Sequence, residues 1–425
     1  MPRAPEAALL GVRVVLDARP LQDPERAPVT AAYAASLLAA YDRAPLDGES
    51  FAFLLRSDRP DPTAELTGLS VIGRRMLPPT GPLRAAAPTV DPLLLRGASL
   101  GAAWRADRGG AHGAVYHSIG AGMLPIGSGL PVVVTLLDLA PWELPDTFRE
   151  TGLARFGLRL RRRLVHDAAA VIVGTEAAAR SAQRRLRVAP ERIHLVPIAP
   201  RSAFVAGDPS AAGATALPPG DGDDAERLGL GSRYLVWPGR FDARQDLATL
   251  FGALSRLAAA GRPAGLPADV AWPPRLVLVG APPDDRAAIA RTAARHDVGE
   301  AIAYAPPLPD DRLAALVRGA RATLLPMVAE SVGLAAVESI AVGTPVLASA
   351  VGALPELVGP AGVLVPAGDP ERLAVALSAV WTDERLVTGL REATRDRGLA
   401  AGTRTWDDVA AETRRVYAAV GVDAG

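Results

Sequence analysis

The chain has 425 residues, too many for one ordinary core, and that length favours two or three domains. Lys plus Arg and Asp plus Glu each number 46, so the formal net charge is zero, and nucleic-acid binding driven by phosphate neutralisation is not expected. Cysteine is absent, which excludes disulfides, thiolate metal sites and a cysteine nucleophile.

Hydrophobic residues make up 49% of the chain, with no continuous apolar stretch near 18 residues and no signal-peptide pattern at the start. The expectation is a globular cytoplasmic protein. Lysine and asparagine are also missing, as a strongly GC-biased coding sequence would produce.

In chain order, VRVVLDA (12–18), SFAFLL (50–55), GAVYHS (113–118), PVVVTLLDL (131–139), AAVIVGT (169–175) and IHLVPIA (193–199) read as buried strands. AAYAASLLAAY (31–41) and RFGLRLRRRLVHD (155–167) read as helices among them. In the second, Phe156, Leu160, Leu164 and Val165 are expected on one face and Arg155, Arg159, Arg162 and Arg163 elsewhere. Such a basic amphipathic helix either packs its apolar stripe into the core or lies on an anionic membrane.

Residues 201–230 have linker composition, rich in Gly, Ala, Pro and Asp and without a periodic apolar face. Asp221 and Asp223 form an Asp-x-Asp there, read as solvated loop rather than as a metal site, since oxygen-ligand sites need several positioned donors. The strand pattern then resumes with YLVWPGR (234–240), RLVLVGA (275–281), IAYAPPL (302–308), ATLLPMV (322–328), PVLASAV (345–351) and AGVLVPAG (361–368). Trp406, Val409, Val416 and Tyr417 mark a closing amphipathic helix over 405–420.

Short buried strands alternating with helices specify α/β domains with doubly wound parallel sheets. The expected layout is a Rossmann-like domain over 1–200, the linker 201–230, a second Rossmann-like domain over 231–400, and a C-terminal helix over 401–425 packing back on the lobes. In such sheets ligands bind beyond the carboxyl ends of the strands, at the switch point.

Glu330 and Glu338 are the charged members of the apolar run PMVAESVGLAAVESIAVGTPVLAS (326–349). Glu330 falls on a strand-to-helix loop, and Glu338 in the first turns of a helix that begins near Gly333. A helix start with a glycine for close approach suits a diphosphate, and the two carboxylates suit the sugars of a nucleotide sugar. The same pair also fits a helix-dipole complement and a solvated loop residue.

The stretch ESVGLAAVESIAVGTPVLASAVGALPELVGPAGVLVPAGDPERLAVAL (330–377) resembles the signature of family 4 (group 1) glycosyltransferases of the GT-B fold, mannosyltransferase-like members included. Their Glu-x7-Glu motif, Gly-Thr-Pro-Val strand, Leu-Pro-Glu-Leu segment and Asp-Pro closure are all matched. The resemblance implies two Rossmann-like domains facing a cleft and transfer of a hexose from a nucleotide sugar to a glycan or lipid-linked acceptor with retention of configuration. It implies that Glu338 contacts the donor ribose, that Glu330 lies near the transferred sugar, and that no metal is needed.

WPGRFDARQDL (237–247) is similar to the family's diphosphate-binding segment, with Arg240 at the arginine position and Gln245 where a lysine is usual. Arg244 is one residue away from that position. The donor site implied is therefore Gly239, Arg240, Arg244 and Gln245 on one loop and Ser331, Gly333, Leu334 and Glu338 on another. The catalytic set implied is Glu330, Arg240, His117 and Asp138.

His117 follows a strand and is either a cleft donor to substrate hydroxyls or a packed, hydrogen-bonded core histidine. Asp138 is either a cleft residue or the cap of the next segment. Other segments depart from the family pattern. APVTAA stands where a glycine loop is usual, Leu137 where a histidine precedes the aspartate, and Pro197, Ile198 and Ala199 where Pro-Asn-Gly is usual. Beside the transferase stands a second reading, a catalytically degenerate homologue that binds nucleotide sugar or serves as a partner subunit. Peripheral attachment at the inner membrane face through 155–167 is implied for lipid-linked acceptors.

Overall fold

A computed structural model describes residues 12–79, 113–205 and 224–421, apart from 123, 127–128, 149–150 and 402–403. Asp221, Asp223 and most of the 201–230 segment lie outside the described residues. The chain divides into two compact units, Met1–Ala199 with Thr405–Gly425, and Pro200–Arg404.

The first unit is built on a seven-stranded sheet ordered β3-β2-β1-β4-β5-β6-β7. Its strands are β1 (Arg13–Asp17), β2 (Ser50–Arg56), β3 (Val71–Leu77), β4 (Ala114–Ile119), β5 (Val132–Thr135), β6 (Ala170–Val173) and β7 (Ile193–Leu195). Every pairing is parallel. Six of these strands fall on the expected runs. The seventh, β3, falls on none of them, because an edge strand has one solvated side: VIGRRML leaves Ile72, Arg74, Arg75 and Met76 exposed and so lacks an apolar run.

Sheet order reverses between β1 and β4. Asp17, the last residue of β1, is 1% exposed and takes a two-pronged ion pair from Arg19, with Nε at 2.9 Å and Nη2 at 2.8 Å. The Gln22 amide donates to the carbonyl oxygens of Arg56 and Pro60 and accepts from the Arg56 N–H. Side chains therefore fix the first strand-to-helix turn.

Helix α1 (Pro28–Arg43) starts with proline in its first turn, where the missing N–H costs nothing, and buries Tyr33, Leu37 and Tyr41. The C-terminal helix (Trp406–Gly421) packs against it. Thr405 and Asp408 exchange side-chain and backbone hydrogen bonds at its start, a capping box. Trp406 meets Tyr33 edge-on at 5.2 Å, and Arg414 lies over the Tyr41 ring while its guanidinium grips buried Glu49.

Helix α2 (Gly152–His166) corrects the expected arrangement of faces. Its core contacts are Leu158 and Val165 with Leu164 packed against them, whereas Phe156 is 55% exposed alongside Arg155, Arg159 and Arg163. Leu160 and Leu164 line a pocket of about 490 Å³ with Leu124 and Leu130. Thr151 caps this helix, and Thr175 caps the next, α3 (Glu176–Ser181).

The second unit carries a six-stranded parallel sheet ordered β10-β9-β8-β11-β12-β13. These strands are β8 (Leu235–Trp237), β9 (Leu276–Val279), β10 (Ile302–Ala305), β11 (Ala322–Leu325), β12 (Val346–Ser349) and β13 (Gly362–Val365), each on an expected run. Helices α4 (Leu247–Ala260), α5 (Pro283–Ala294), α6 (Asp310–Gly319), α7 (Leu334–Ala341), α8 (Pro370–Thr382) and α9 (Glu384–Ala401) connect or flank them. Trp237, Phe251, Leu254, Leu278 and Trp381 centre its core. Among the described residues no helix is long and apolar enough to cross a membrane.

Candidate functional site

In the second unit the sheet order reverses between β8 and β11, so the loops leaving those strands, 238–246 and 326–333, frame its switch point. The loops are stitched together. Asp246 N donates to Pro326 O at 2.7 Å, Val328 N donates to Arg244 O at 2.8 Å, and Gln245 bridges Met327. A third loop joins through Ala353 N, which donates to Glu330 O at 2.9 Å, and a fourth through Gly368 N, which donates to the Asp246 carboxylate. This network brings Arg240, Arg244 and Glu330 to one end of one sheet.

Arg240 leaves the end of β8 and donates its Nε to Asp285 Oδ2 at 2.6 Å; Asp285 lies in the first turn of α5. The same oxygen accepts Phe241 N at 3.1 Å. Arg244 donates to Asp242, with Nη2 to Oδ2 at 2.7 Å. Burial works to raise the Asp242 carboxyl, but Arg244 outweighs it and holds it below the usual carboxylate range. Both arginines are therefore fixed by carboxylates that offset part of their charge.

The remaining loop residues divide by role. Gln245 turns inward, its amide donating to the Met327 sulfur at 3.1 Å and accepting from Trp237 Nε1 at 3.4 Å. Gly239 passes over the Trp237 indole so closely that a Cβ would sit 2.1 Å from the ring, so it serves packing.

Glu330 sits on the loop as expected, and its Oε1 accepts the N–H groups of Val332 and Gly333, each at 3.0 Å. Gly333 is the N-cap of α7 at φ 69°, a left-handed conformation that glycine adopts without strain. The amides of Leu334 and Ala335 open the first turn of α7, where N–H groups have no partner within the helix. With the positive end of the helix dipole they form an anion-attracting terminus. Ser331 and Leu334 are buried beside it.

Glu338 is 5% exposed and its carboxylate is held by Arg201, with Nε to Oε1 at 2.6 Å and Nη2 to Oε2 at 2.9 Å. Arg201 Nη1 donates to Asp310 at 2.5 Å. Burial pushes the Glu338 carboxyl up, and Arg201 opposes it. Sequence reasoning missed Arg201, Asp285 and Asp310. Arg201 stands 137 positions from its partner, so no local spacing announces the pair.

The first unit holds the other two candidates. His117 is completely buried on β4: Nε2 lies 2.8 Å from Thr135 Oγ1, and Nδ1 lies 2.7 Å from the Tyr417 hydroxyl. With both ring nitrogens taken, it fits the packed core reading and not that of a donor to substrate. Asp138 follows β5, and its Oδ1 accepts Ala140 N at 2.9 Å, an Asx turn that leads the chain into the next segment, whose N-cap is Leu139. The buried guanidinium of Arg161 is lowered by desolvation and pulled back by the Asp138 charge. Among the described residues no cluster of three or more His, Asp or Glu is placed to hold a metal ion.

Two family profiles match the chain: Glycosyl transferase 4-like domain over residues 30–199 and Glycosyl transferases group 1 over 232–383. A D-inositol 3-phosphate glycosyltransferase of Acidothermus cellulolyticus is 39% identical over 150 residues, 34% of this chain and 32% of that relative. The matched part thus spans about a third of that relative's length. Among solved structures, sucrose-phosphate synthase of Thermosynechococcus elongatus superposes with a TM-score of 0.70 at 21% identity, covering 96% of this chain and 98% of that one. Anabaena HepE in complex with UDP gives 0.65 at 17% identity, covering 96% and 100%.

Proposed function

We propose that this chain, which belongs to the group 1 glycosyltransferases and has their GT-B fold, transfers a hexose from a nucleoside-diphosphate sugar to a glycan or lipid-linked acceptor with retention of configuration. The observation that carries the reading is the assembly of Arg240, Arg244, Glu330 and the open amides of α7 around one switch point. Two guanidinium groups and a helix terminus are what a leaving diphosphate demands, because negative charge grows on its bridging oxygen as the sugar departs.

In the reaction the bond between the sugar C1 and the diphosphate oxygen breaks. The acceptor oxygen bonds to C1 on the same face, and its proton passes to the departing phosphate. Arg240 and Arg244 stabilise the leaving group, and Glu330 positions the transferred sugar. One structural neighbour, Anabaena HepE, has been crystallised in complex with UDP-glucose, which supports a nucleotide sugar here.

The test is calorimetric titration with UDP, GDP and ADP and their sugars, followed by an acceptor screen with the donor that binds. Selective binding of one nucleotide, weakened by Glu338→Ala, fixes the donor class. Failure of all three to bind overturns the reading. A second reading, a nucleotide-sugar binder without turnover, draws on Gln245, whose amide is spent on Met327 and Trp237. Donor binding with no consumption in the presence of any acceptor would select it.

For a lipid-linked acceptor, α2 is the contact with an anionic membrane. Phe156 projects beside Arg155, Arg159 and Arg163, an apolar ring set among cations. Co-sedimentation with phosphatidylglycerol vesicles, lost in Phe156→Ser with Arg159→Ser, tests this; equal sedimentation of wild type and variant overturns it.

A further inference from the structure

Arg201 deepens the donor-site reading above and rests on it. The residue stands outside both loops of the switch point, yet its guanidinium is fixed at two ends. Nε and Nη2 form a parallel fork on the two Glu338 oxygens at 2.6 and 2.9 Å, and Nη1 reaches Asp310 at the start of α6 at 2.5 Å. Its face also lies over the Phe204 ring, 5.0 Å from the centroid. A side chain held by two carboxylates and a ring has little rotamer freedom left.

We propose that Arg201 is a positioning residue for the donor nucleoside, holding Glu338 as an ionised, oriented carboxylate that accepts from the ribose diol. A carboxylate has about four lone-pair sites, and the Arg201 fork takes one on each oxygen. The Arg201 backbone N–H bears on the carboxylate as well, so Arg201 fixes its plane and leaves the remaining lone pair to accept from the ribose. Without a counter-charge, a carboxyl buried to this degree takes up a proton, and one of its oxygens then ceases to accept. Arg201 thus acts through Glu338 and need not touch the ligand. Lysine is a poor substitute, because a single ammonium cannot reproduce the fork.

The experiment titrates wild type, Arg201→Ala, Arg201→Lys and Asp310→Asn with the nucleoside diphosphate that binds wild type and with its 2′,3′-dideoxy analogue. Circular dichroism and thermal melting establish that each variant is folded. Arg201→Ala is expected to bind the ribonucleotide about 10- to 100-fold more weakly, the range set by a hydrogen bond to a charged group. Arg201→Lys is expected to recover only part of that loss, and the dideoxy analogue to bind wild type and Arg201→Ala alike.

Equal or tighter ribonucleotide binding by Arg201→Ala overturns the proposal, because Arg201 is then a bystander or a competitor for Glu338. An equal loss for both ligands also overturns it, since the effect then lies in the fold. If Arg201→Ala does not fold, Asp310→Asn decides, as it leaves the fork in place and loosens one anchor: a loss confined to the ribonucleotide supports the proposal, and no such loss overturns it. Failure of wild type to bind any nucleoside diphosphate sinks the donor-site reading itself. Wild-type binding with no sensitivity at Arg201 sinks the Arg201 role alone.

Discussion

His117 and Tyr417, 300 positions apart in sequence, meet inside the first unit with 2.7 Å between the imidazole Nδ1 and the phenol oxygen. Tyr41 donates its hydroxyl to Tyr417 at 3.2 Å, so the Tyr417 proton points to Nδ1. Nε2 then carries the ring proton and donates it to Thr135. A single neutral tautomer satisfies the chain, which joins β4, β5, α1 and the C-terminal helix. Burial accordingly lowers the His117 pKa to about 3.

This arrangement makes stability fall with acid. In the unfolded chain His117 takes up a proton near its ordinary pKa of about 6.5, whereas the folded chain refuses it until about 3. Between those values the unfolded state binds the extra proton, so stability drops as pH decreases, by about 1.4 kcal/mol per pH unit at the steepest. Thermal melts of wild type and His117→Gln from pH 7.5 to 4.5 isolate the contribution. Wild type is expected to lose the stability difference over this window, and parallel curves for the two proteins would rule the effect out.

Glu49 and Arg414 form a buried ion pair, with carboxylate and guanidinium 4% and 8% exposed. Removing one partner strands the other charge away from water, so Glu49→Ala is expected to cost about 3–5 kcal/mol, whereas Glu49→Leu with Arg414→Met is expected to cost much less. Denaturant unfolding of the single and double variants measures the difference. Equal losses would mean that the pair matters only through its packed volume.

The sheet strands are legible wherever both faces are covered, since runs such as VVLD and LVLV carry their burial in their composition. Strand β3 is not, because its exposed edge has the residues of a loop. The inward face of helix α2 is also hidden, as its two apolar rows are adjacent and sequence alone does not say which row meets the sheet and which opens on a pocket. Glu330 and Gly333 can be placed at a loop and a helix start from the sequence, and Arg240 comes from the resemblance of 237–247 to the family segment. Arg201, Asp285 and Asp310 cannot be placed, because the partners that orient a site come from distant elements and obey no periodicity.

One pair of substitutions separates the structural role of Glu330 from the role proposed for it. Its Oε1 caps the loop through Val332 N and Gly333 N, and under the proposed function its charge faces the sugar. Glu330→Gln retains an amide oxygen for the cap, so melting is expected to stay near wild type while transfer falls. Glu330→Ala loses the cap as well and is expected to cost about 0.5–2 kcal/mol of stability, the range for a lost capping oxygen. Melting curves beside turnover rates distinguish the two. Full transfer by Glu330→Gln would leave the carboxylate with a structural role only.

Arg240 and Asp285 offer the clearest separation of charge from position. If Arg240 stabilises the departing diphosphate, Arg240→Ala is expected to lower turnover by about 10²–10³, as removal of a fixed donor from a developing anion does elsewhere. Asp285 Oδ2 meanwhile sets a negative charge 2.6 Å from Arg240 Nε and accepts the Phe241 amide. Asp285→Asn keeps an acceptor for that amide and removes the opposing charge, so Arg240 presents more of its own to the phosphates. Tighter binding of nucleoside diphosphate is expected, with a steeper dependence on salt because less of the attraction is already cancelled. Calorimetry at 50 and 300 mM NaCl measures both. Weaker binding by Asp285→Asn would instead make orientation of the guanidinium, and not its net charge, the quantity that Asp285 controls.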